Sequence, residues 1–240
     1  MENNIDLTVV IPAYNEAENL RVLLPRLVGV LRREKIVFEI LVVDRIMRTD
    51  DTPEICGNNG AVYVNRKNSD FFGDAIRTGI SLSRGRYVAF MDADGSHPPE
   101  FVTELYKFRN DYDVVVASRY VDGGGTENAK TLILMSRLLN IIYSLVLNIP
   151  CKDVSNNFKL YRKDLFANIA LYCDNFDIVE EILFKIVRNN PGVKIKEVPF
   201  KFEKRKFGET KRNLFAFIVS FAITLFKLRF GMNSGGNKKR

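Results

Sequence analysis

Asp92-Ala93-Asp94 stands directly after the apolar run Tyr87 to Met91. In a strand, side chains two residues apart point the same way. Both carboxylates would then leave one strand end together, close enough to share a divalent cation with the oxygens of a diphosphate. Mg²⁺ or Mn²⁺ held in that way acts as a Lewis acid and neutralises charge on a departing nucleotide diphosphate. Two acids one residue apart also make an ordinary solvated turn, and short motifs recur by chance. The surrounding elements have to decide between the two.

Short β-branched runs at Leu7 to Ile11, Phe38 to Val43, Ala61 to Val64, Tyr87 to Met91 and Asp113 to Ala117 are predicted strands. Helical spacing covers Ala17 to Arg33, Asp74 to Arg84 and Pro99 to Arg109, the last with Pro98 and Pro99 suited to a helix start. Strand alternating with helix predicts an α/β fold, a mostly parallel, Rossmann-like sheet flanked by helices. Ligands of such sheets bind beyond the carboxyl ends of the strands. That rule gathers Pro12 to Glu16, Asp44 and Met91 to Asp94 on one edge.

A chain of 240 residues with 46% hydrophobic content supports a single core, and residues 1–212 are assigned to one catalytic domain. Cys56, Cys151 and Cys173 are odd in number and lack a CxxC pair, which argues against a disulfide framework or structural zinc and for a reducing compartment. The start MENNIDLTVVIPAYNE lacks the basic opening and small-residue cleavage site of a secretory signal, so a cytoplasmic location is expected.

Lys194 to Arg240 holds 13 Lys and Arg against three Glu, a segment of +10 in a chain of net +7, which leaves the rest at about −3. No zinc-finger, helix-turn-helix or RNP pattern accompanies that basic segment, so nucleic acid is excluded as its partner. Leu214 to Phe226 is apolar for 13 residues and then broken by Lys227 and Arg229, short of the roughly 20 residues a spanning helix needs. Residues 213–230 are therefore predicted to form an amphipathic helix lying on an anionic leaflet, with the apolar helix 132–147 as companion. Packing against the sheet or a second subunit is the alternative. The tail 231–240 is polar and expected to be disordered.

The strand-end residues Pro12-Ala13-Tyr14-Asn15-Glu16, Asp44 and Asp92-Ala93-Asp94, taken together, resemble the GT-A fold of the family 2 inverting glycosyltransferases. MDADGSHPPEF, ASRY with the following glycines, NNFKLYRKDLF and EVPFKFEKRKFGETK narrow the resemblance to the polyprenyl-phosphate sugar synthases, over about residues 6 to 228. The resemblance implies transfer of a hexose from GDP-mannose or a UDP-sugar to dolichyl or undecaprenyl phosphate at the cytoplasmic membrane face. It implies that Pro12, Tyr14, Glu16 and Asp44 contact the nucleotide, and that Arg119, Arg205, Thr210 and Lys211 serve the phosphates. It places Ser136 and Arg137 beside the acceptor phosphate and Glu181 near the sugar, although the family's neighbouring glutamine is Val179 here. A polyprenyl phosphate is already an anionic nucleophile, so His97, the sole histidine, is read as loop structure rather than as a base.

Two departures from the family pattern stand out. Arg45 occupies the position of a second acid after Asp44, where it is expected to approach a phosphate or pair with Asp50 or Asp51. Asp70-Phe71-Phe72-Gly73-Asp74 brings bulk and charge where the family has small residues, which predicts a reshaped nucleotide side of the cleft. Two other functions remain open at this point. One is transfer to a soluble or surface glycan hydroxyl, with Glu181 or Asp177 as general base. The other is a non-catalytic sugar-nucleotide-binding scaffold.

Overall fold

Parallel strands buried on both faces read as near-continuous apolar runs, as the first, second and fourth strands of this chain do; the third, at the sheet edge, is partly exposed. The structure, a computed structural model, describes residues 5–127, 130–202 and 214–230. Strand β1 (Leu7–Pro12) lies between β2 (Phe38–Asp44) and β4 (Tyr87–Phe90), and β2 pairs onward with β3 (Val62–Asn65), all parallel. Helices α1 (Ala17–Arg33), α2 (Thr52–Asn58) and α3 (Phe72–Leu82) make the crossovers, and α4 (Glu100–Tyr106) leads into β5 (Val114–Ser118). α2 has no counterpart among the predicted helices; the other bounds differ from the predicted ones by a few residues.

In the second half the sequence predicts helices at 132–147 and 213–230, but not the strands after β5 or the helix between them. A two-residue strand β6 (Gly125–Thr126) precedes α5 (Lys130–Leu147), and β7 (Lys159–Arg162), α6 (Ile178–Asn189), β8 (Ile195–Pro199), β9 (Lys201–Phe202) and α7 (Leu214–Phe230) follow. The large sheet runs β3-β2-β1-β4-β7-β5-β8, and β6 pairs with β9 in a separate ribbon. β7 is antiparallel to both neighbours, β4 and β5. Its leading loop is thereby carried to the edge where β4 and β5 end.

Strand alternation splits the core into two layers. Leu7, Val9 and Ile11 face a cluster with Leu20, Leu24 and Leu27 of α1, while Val10 faces a cluster with Ala75 and Ile76 of α3. The second layer also takes Tyr143 of α5, Ile182 of α6 and Phe221 of α7; the Tyr143 and Phe221 rings meet edge-on at 4.2 Å. Among the described residues no helix is long and apolar enough to cross a membrane.

Candidate active site

The carboxyl edge of the sheet collects the predicted residues from three strands. Asp44 ends β2 almost wholly out of solvent, and neither of its carboxylate oxygens meets a hydrogen-bond partner among the described residues. Burial raises its pKa, against the lowering influence of the Arg45 amide, nearby but outside hydrogen-bond geometry, with Asp50 adding to the rise and the Arg66 and Arg45 guanidiniums opposing it. A buried carboxylate without donors costs stability unless a ligand supplies them. A raised acid lends the fold stability below its unfolded pKa and withdraws it as pH climbs through the folded one. Asp44→Asn is therefore expected to raise the thermal midpoint at pH 7 by a few degrees, from about 1 kcal/mol, while weakening nucleoside diphosphate binding. The gain should vanish near pH 4, which paired melting curves at the two pH values would check.

Pro12 closes β1 in register with Val43. Beyond it Tyr14 is half exposed, and the Arg45 guanidinium stacks 4.5 Å above its ring. Arg45 also lies 3.5 Å from Asn15 Oδ1 and 3.7 Å from Asp70. Its partner is thus Asp70 rather than Asp50 or Asp51; Asp51 pairs instead with Arg21. Glu16 receives a hydrogen bond from Asn19 Nδ2 at 2.5 Å. Arg66, missed in the sequence, leaves the end of β3 to donate to Ala13 O at 2.6 Å and to Asp70 O, tying the first strand's loop to the third.

The predicted charge at Asp74 does not face the cleft. Asp74 is fully buried in the first turn of α3, where its carboxylate accepts the N–H groups of Lys67, Asn68 and Ser69 at 2.9–3.3 Å. Burial works against its ionised form, and these bonds with Arg77 outweigh it, so its pKa falls below the usual range. Phe72 stacks on Phe176 at 4.4 Å, and Phe71 alone of the bulky pair is exposed.

Asp92 and Asp94 follow β4 on either side of buried Ala93. Asn157 Nδ2 donates to Asp92 Oδ1 at 2.9 Å, and Ser96 donates to Asp94 Oδ1 through N–H (3.0 Å) and Oγ (2.6 Å). Gly95 between them takes φ +81°, a conformation that favours glycine. His97 is buried, stacked on Phe158 at 4.5 Å, and its Nδ1 accepts the Asp92 N–H at 3.0 Å. Burial keeps its pKa below the ordinary histidine value despite Asp92 and Asp94 nearby, in keeping with loop structure.

Among the described residues no group of three or more His, Cys, Asp and Glu could hold a metal by itself. Two hard carboxylates nonetheless suit Mg²⁺ or Mn²⁺, which take one or two protein carboxylates and complete their shell with substrate phosphates and water. The donor set of Asp92 and Asp94 fits such an ion.

Arg119 follows β5 and is gripped by Asp153: Nε to Oδ2 at 2.8 Å, Nη2 to Oδ1 at 2.7 Å and the backbone N–H to Oδ2 at 2.8 Å. Nη2 also donates to Ser155 Oγ at 3.0 Å. Burial disfavours the guanidinium charge, but Asp153 overrides it and holds the pKa above the usual arginine value. Gly124 lies where a Cβ would come within 2.5 Å of Ser118 O, so the glycine loop can fold back over Arg119. Ser136 on α5 accepts from Tyr120 OH at 2.7 Å, which joins that helix to the Arg119 loop, and Arg137 beside it is exposed.

One predicted residue is elsewhere. Glu181 is buried with its carboxylate filled by the N–H groups of Tyr172 and Cys173 (2.8–3.0 Å) and by Lys185 Nζ at 2.6 Å. Those partners make it a clasp for the 172–173 loop, in place of the expected sugar contact. Arg205, Thr210 and Lys211, like the tail 231–240, lie outside the described residues. Asp153, Ser155 and Asn157, which hold the site's charged groups, carried no assigned role in the sequence; the last lies inside NNFKLYRKDLF.

An open sheet with acids at the ends of its second and fourth strands is the frame of the GT-A glycosyltransferases. The chain belongs to glycosyl transferase family 2, whose model matches residues 8–170, and it is a glycosyltransferase. A Pyrococcus furiosus protein named dolichol-phosphate mannosyltransferase is 32% identical over 222 residues, 85% of this chain and 58% of that protein. The chain thus spans little more than half of that relative's length. An undecaprenyl-phosphate mannosyltransferase of Micrococcus luteus is 32% identical over 218 residues, 84% of this chain and 85% of the relative. Among solved structures, mannosyl-3-phosphoglycerate synthase from Rubrobacter xylanophilus superposes with a TM-score of 0.74 at 17% identity, covering 98% of this chain and 77% of the other. Glucosyl-3-phosphoglycerate synthase from Mycobacterium tuberculosis, in complex with Mn²⁺, UDP and its product, gives 0.69 at 17% identity over 96% and 82%. Both structures share the fold.

Proposed function

We propose that the chain transfers a hexose from a nucleotide diphosphate sugar, GDP-mannose or a UDP-sugar, to a polyprenyl phosphate at the cytoplasmic face of a membrane, inverting the anomeric centre. The observation that carries this reading is the meeting of an acidic pair, Asp92 and Asp94, with the braced cation Arg119 across one loop of β7. The names of the curated relatives support the lipid phosphate as acceptor.

An acceptor phosphate oxygen attacks the anomeric carbon as the bond to the diphosphate oxygen breaks on the opposite face. The attacking oxygen is already anionic, so no proton has to be removed. Three contacts support this reading: Glu181 is occupied, Asp177 is bonded by Thr224 Oγ1 at 2.7 Å and His97 is enclosed, so none of the three stands ready as a base for a glycan hydroxyl. When bound, Mg²⁺ or Mn²⁺ on Asp92 and Asp94 neutralises charge on the departing diphosphate. Asp44 accepts donor groups of the nucleotide. Tyr14, with Arg45 on its ring, flanks the same pocket. Arg119 and Ser136 orient the acceptor phosphate, joined by Arg205, Thr210 and Lys211, so that catalysis rests on positioning and fixed charge.

The membrane side belongs to α5 and α7. Leu134, Leu138, Ile141 and Leu145 form an exposed stripe along α5, opposite the face that carries Asn140 and Tyr143 inward. Ile223, Phe226 and Phe230 of α7 are exposed beside Lys227 and Arg229. Burying each such side chain in lipid gains about 1.5–3 kcal/mol against roughly 1 kcal/mol per nearby cation. Apolar insertion therefore supplies affinity and charge selects an anionic leaflet.

The test is a donor panel of GDP- and UDP-sugars with Mn²⁺ or Mg²⁺ and anionic vesicles carrying prenyl phosphate. Lipid-linked sugar from one donor is the expected product, with the Leu138→Glu/Leu145→Glu variant losing vesicle binding. Sugar found only on added oligosaccharides would sink the reading.

A further inference from the structure

The segment between Cys151 and β7 is a loop of a kind that normally lies on the surface. Here Asp153, Val154, Asn156 and Asn157 are all buried, and their polar groups have partners on both sides of the site. Asn157 Nδ2 holds Asp92 Oδ1. Asp153 and Ser155 hold Arg119. Asn156 Nδ2 donates to Ala117 O at 2.7 Å, and Glu197 of β8 receives the N–H groups of Lys152 and Asp153 at 2.8 and 3.1 Å. Asn140 of α5 accepts the Ser155 N–H at 2.9 Å and donates to its Oγ at 3.0 Å.

Lys159 closes the arrangement. Its side chain is fully buried, and Nζ donates to the carbonyls of Val154, at 3.0 Å, and Asn156. In register it faces Phe90 on β4 and Val116 on β5, shortly before those strands deliver Asp92 and Arg119. Because β7 runs antiparallel to both, the residues leading into Lys159 extend across the two strand ends. Packing alone gives no reason for an ammonium there: burial pushes its pKa down, opposed by Cys151 and by the carboxylates of Asp153 and Glu180, and an apolar residue would avoid that penalty.

We propose that residues 153–159 form a brace linking the donor and acceptor halves of the active site. Asn157 is the positioning residue for the cation-binding carboxylate Asp92, Ser155 and Asp153 those for Arg119, and the Lys159 ammonium locks both to one support. The proposal rests on the assignment of Asp92 to the donor side and Arg119 to the acceptor phosphate.

Mn²⁺ affinity, read by electron paramagnetic resonance in the presence of GDP or UDP, reports the first half, and the KM for a short prenyl phosphate the second. Asn157→Ala is expected to weaken Mn²⁺ binding by about tenfold, the range seen when groups behind metal ligands are removed, with the acceptor KM unchanged. Ser155→Ala should raise the acceptor KM and leave Mn²⁺ affinity alone. Lys159→Met should shift both together. Parental Mn²⁺ affinity in Asn157→Ala, or a shift of both readouts by either single variant, overturns the brace, and these two variants decide even if Lys159→Met fails to fold. A parent protein that binds no Mn²⁺ with either nucleotide overturns the donor-site assignment itself, and the brace with it.

Discussion

Asp94→Asn is expected to lower transfer by about 10³-fold while the thermal midpoint stays within a few degrees of the parent. The amide keeps an oxygen for the Ser96 N–H and Oγ, which hold Asp94 Oδ1 at 3.0 and 2.6 Å, so the turn through Gly95 keeps its bonds. What disappears is the negative charge proposed to face the cation. A 10³-fold loss corresponds to about 4 kcal/mol of transition-state stabilisation, within reach of one ligand in a site where an ion offsets the leaving diphosphate. Rates with saturating donor, measured across an Mn²⁺ titration, would show whether extra metal restores activity. Rates within threefold of the parent at every metal concentration would remove Asp94 from the mechanism.

The acidic pair was legible because β4 is a short apolar run whose end is marked by the first acid. The same reasoning located Asp44 and Pro12, since buried parallel strands announce themselves and their carboxyl ends define the binding edge. β7 was hidden for the opposite reason. Its four residues KLYR include a buried lysine and an arginine paired with Asp113 and Asp164, so neither alternation nor an apolar run marks it. Its place between β4 and β5 depends on non-local pairing that no local pattern encodes. With β7 hidden, so was the loop before it, and Asn157, Ser155 and Asp153 went without roles.

Charges near the site divide in the same way. Asp74 and Glu181 read as cleft acids because residue type cannot tell whether a carboxylate faces a ligand or its own backbone. Both accept backbone N–H groups from neighbouring loops. Asp44 is the contrasting case: it is equally buried yet lacks donors among the described residues. A carboxylate already satisfied by the fold contributes stability, whereas one left without donors fits a ligand-binding role at a cost in stability.

Asp153→Ala should produce the largest stability loss of any single change at the site. It removes the bidentate partner of Arg119, whose side chain is only 12% exposed, and leaves a guanidinium enclosed with Ser155 as its remaining side-chain hydrogen-bond partner among the described residues. Breaking a buried pair from one side costs about 3–5 kcal/mol, which for a domain of this size lowers the midpoint by on the order of ten degrees. Arg119→Met combined with Asp153→Leu removes both charges, and stability should largely return because no ion remains to be compensated. On the role proposed for Arg119 transfer should not return, since the acceptor phosphate would have lost its cation. Calorimetry and acceptor kinetics on the single and paired variants separate the two contributions. Recovery of both stability and transfer in the paired variant would show that Arg119 serves only the fold.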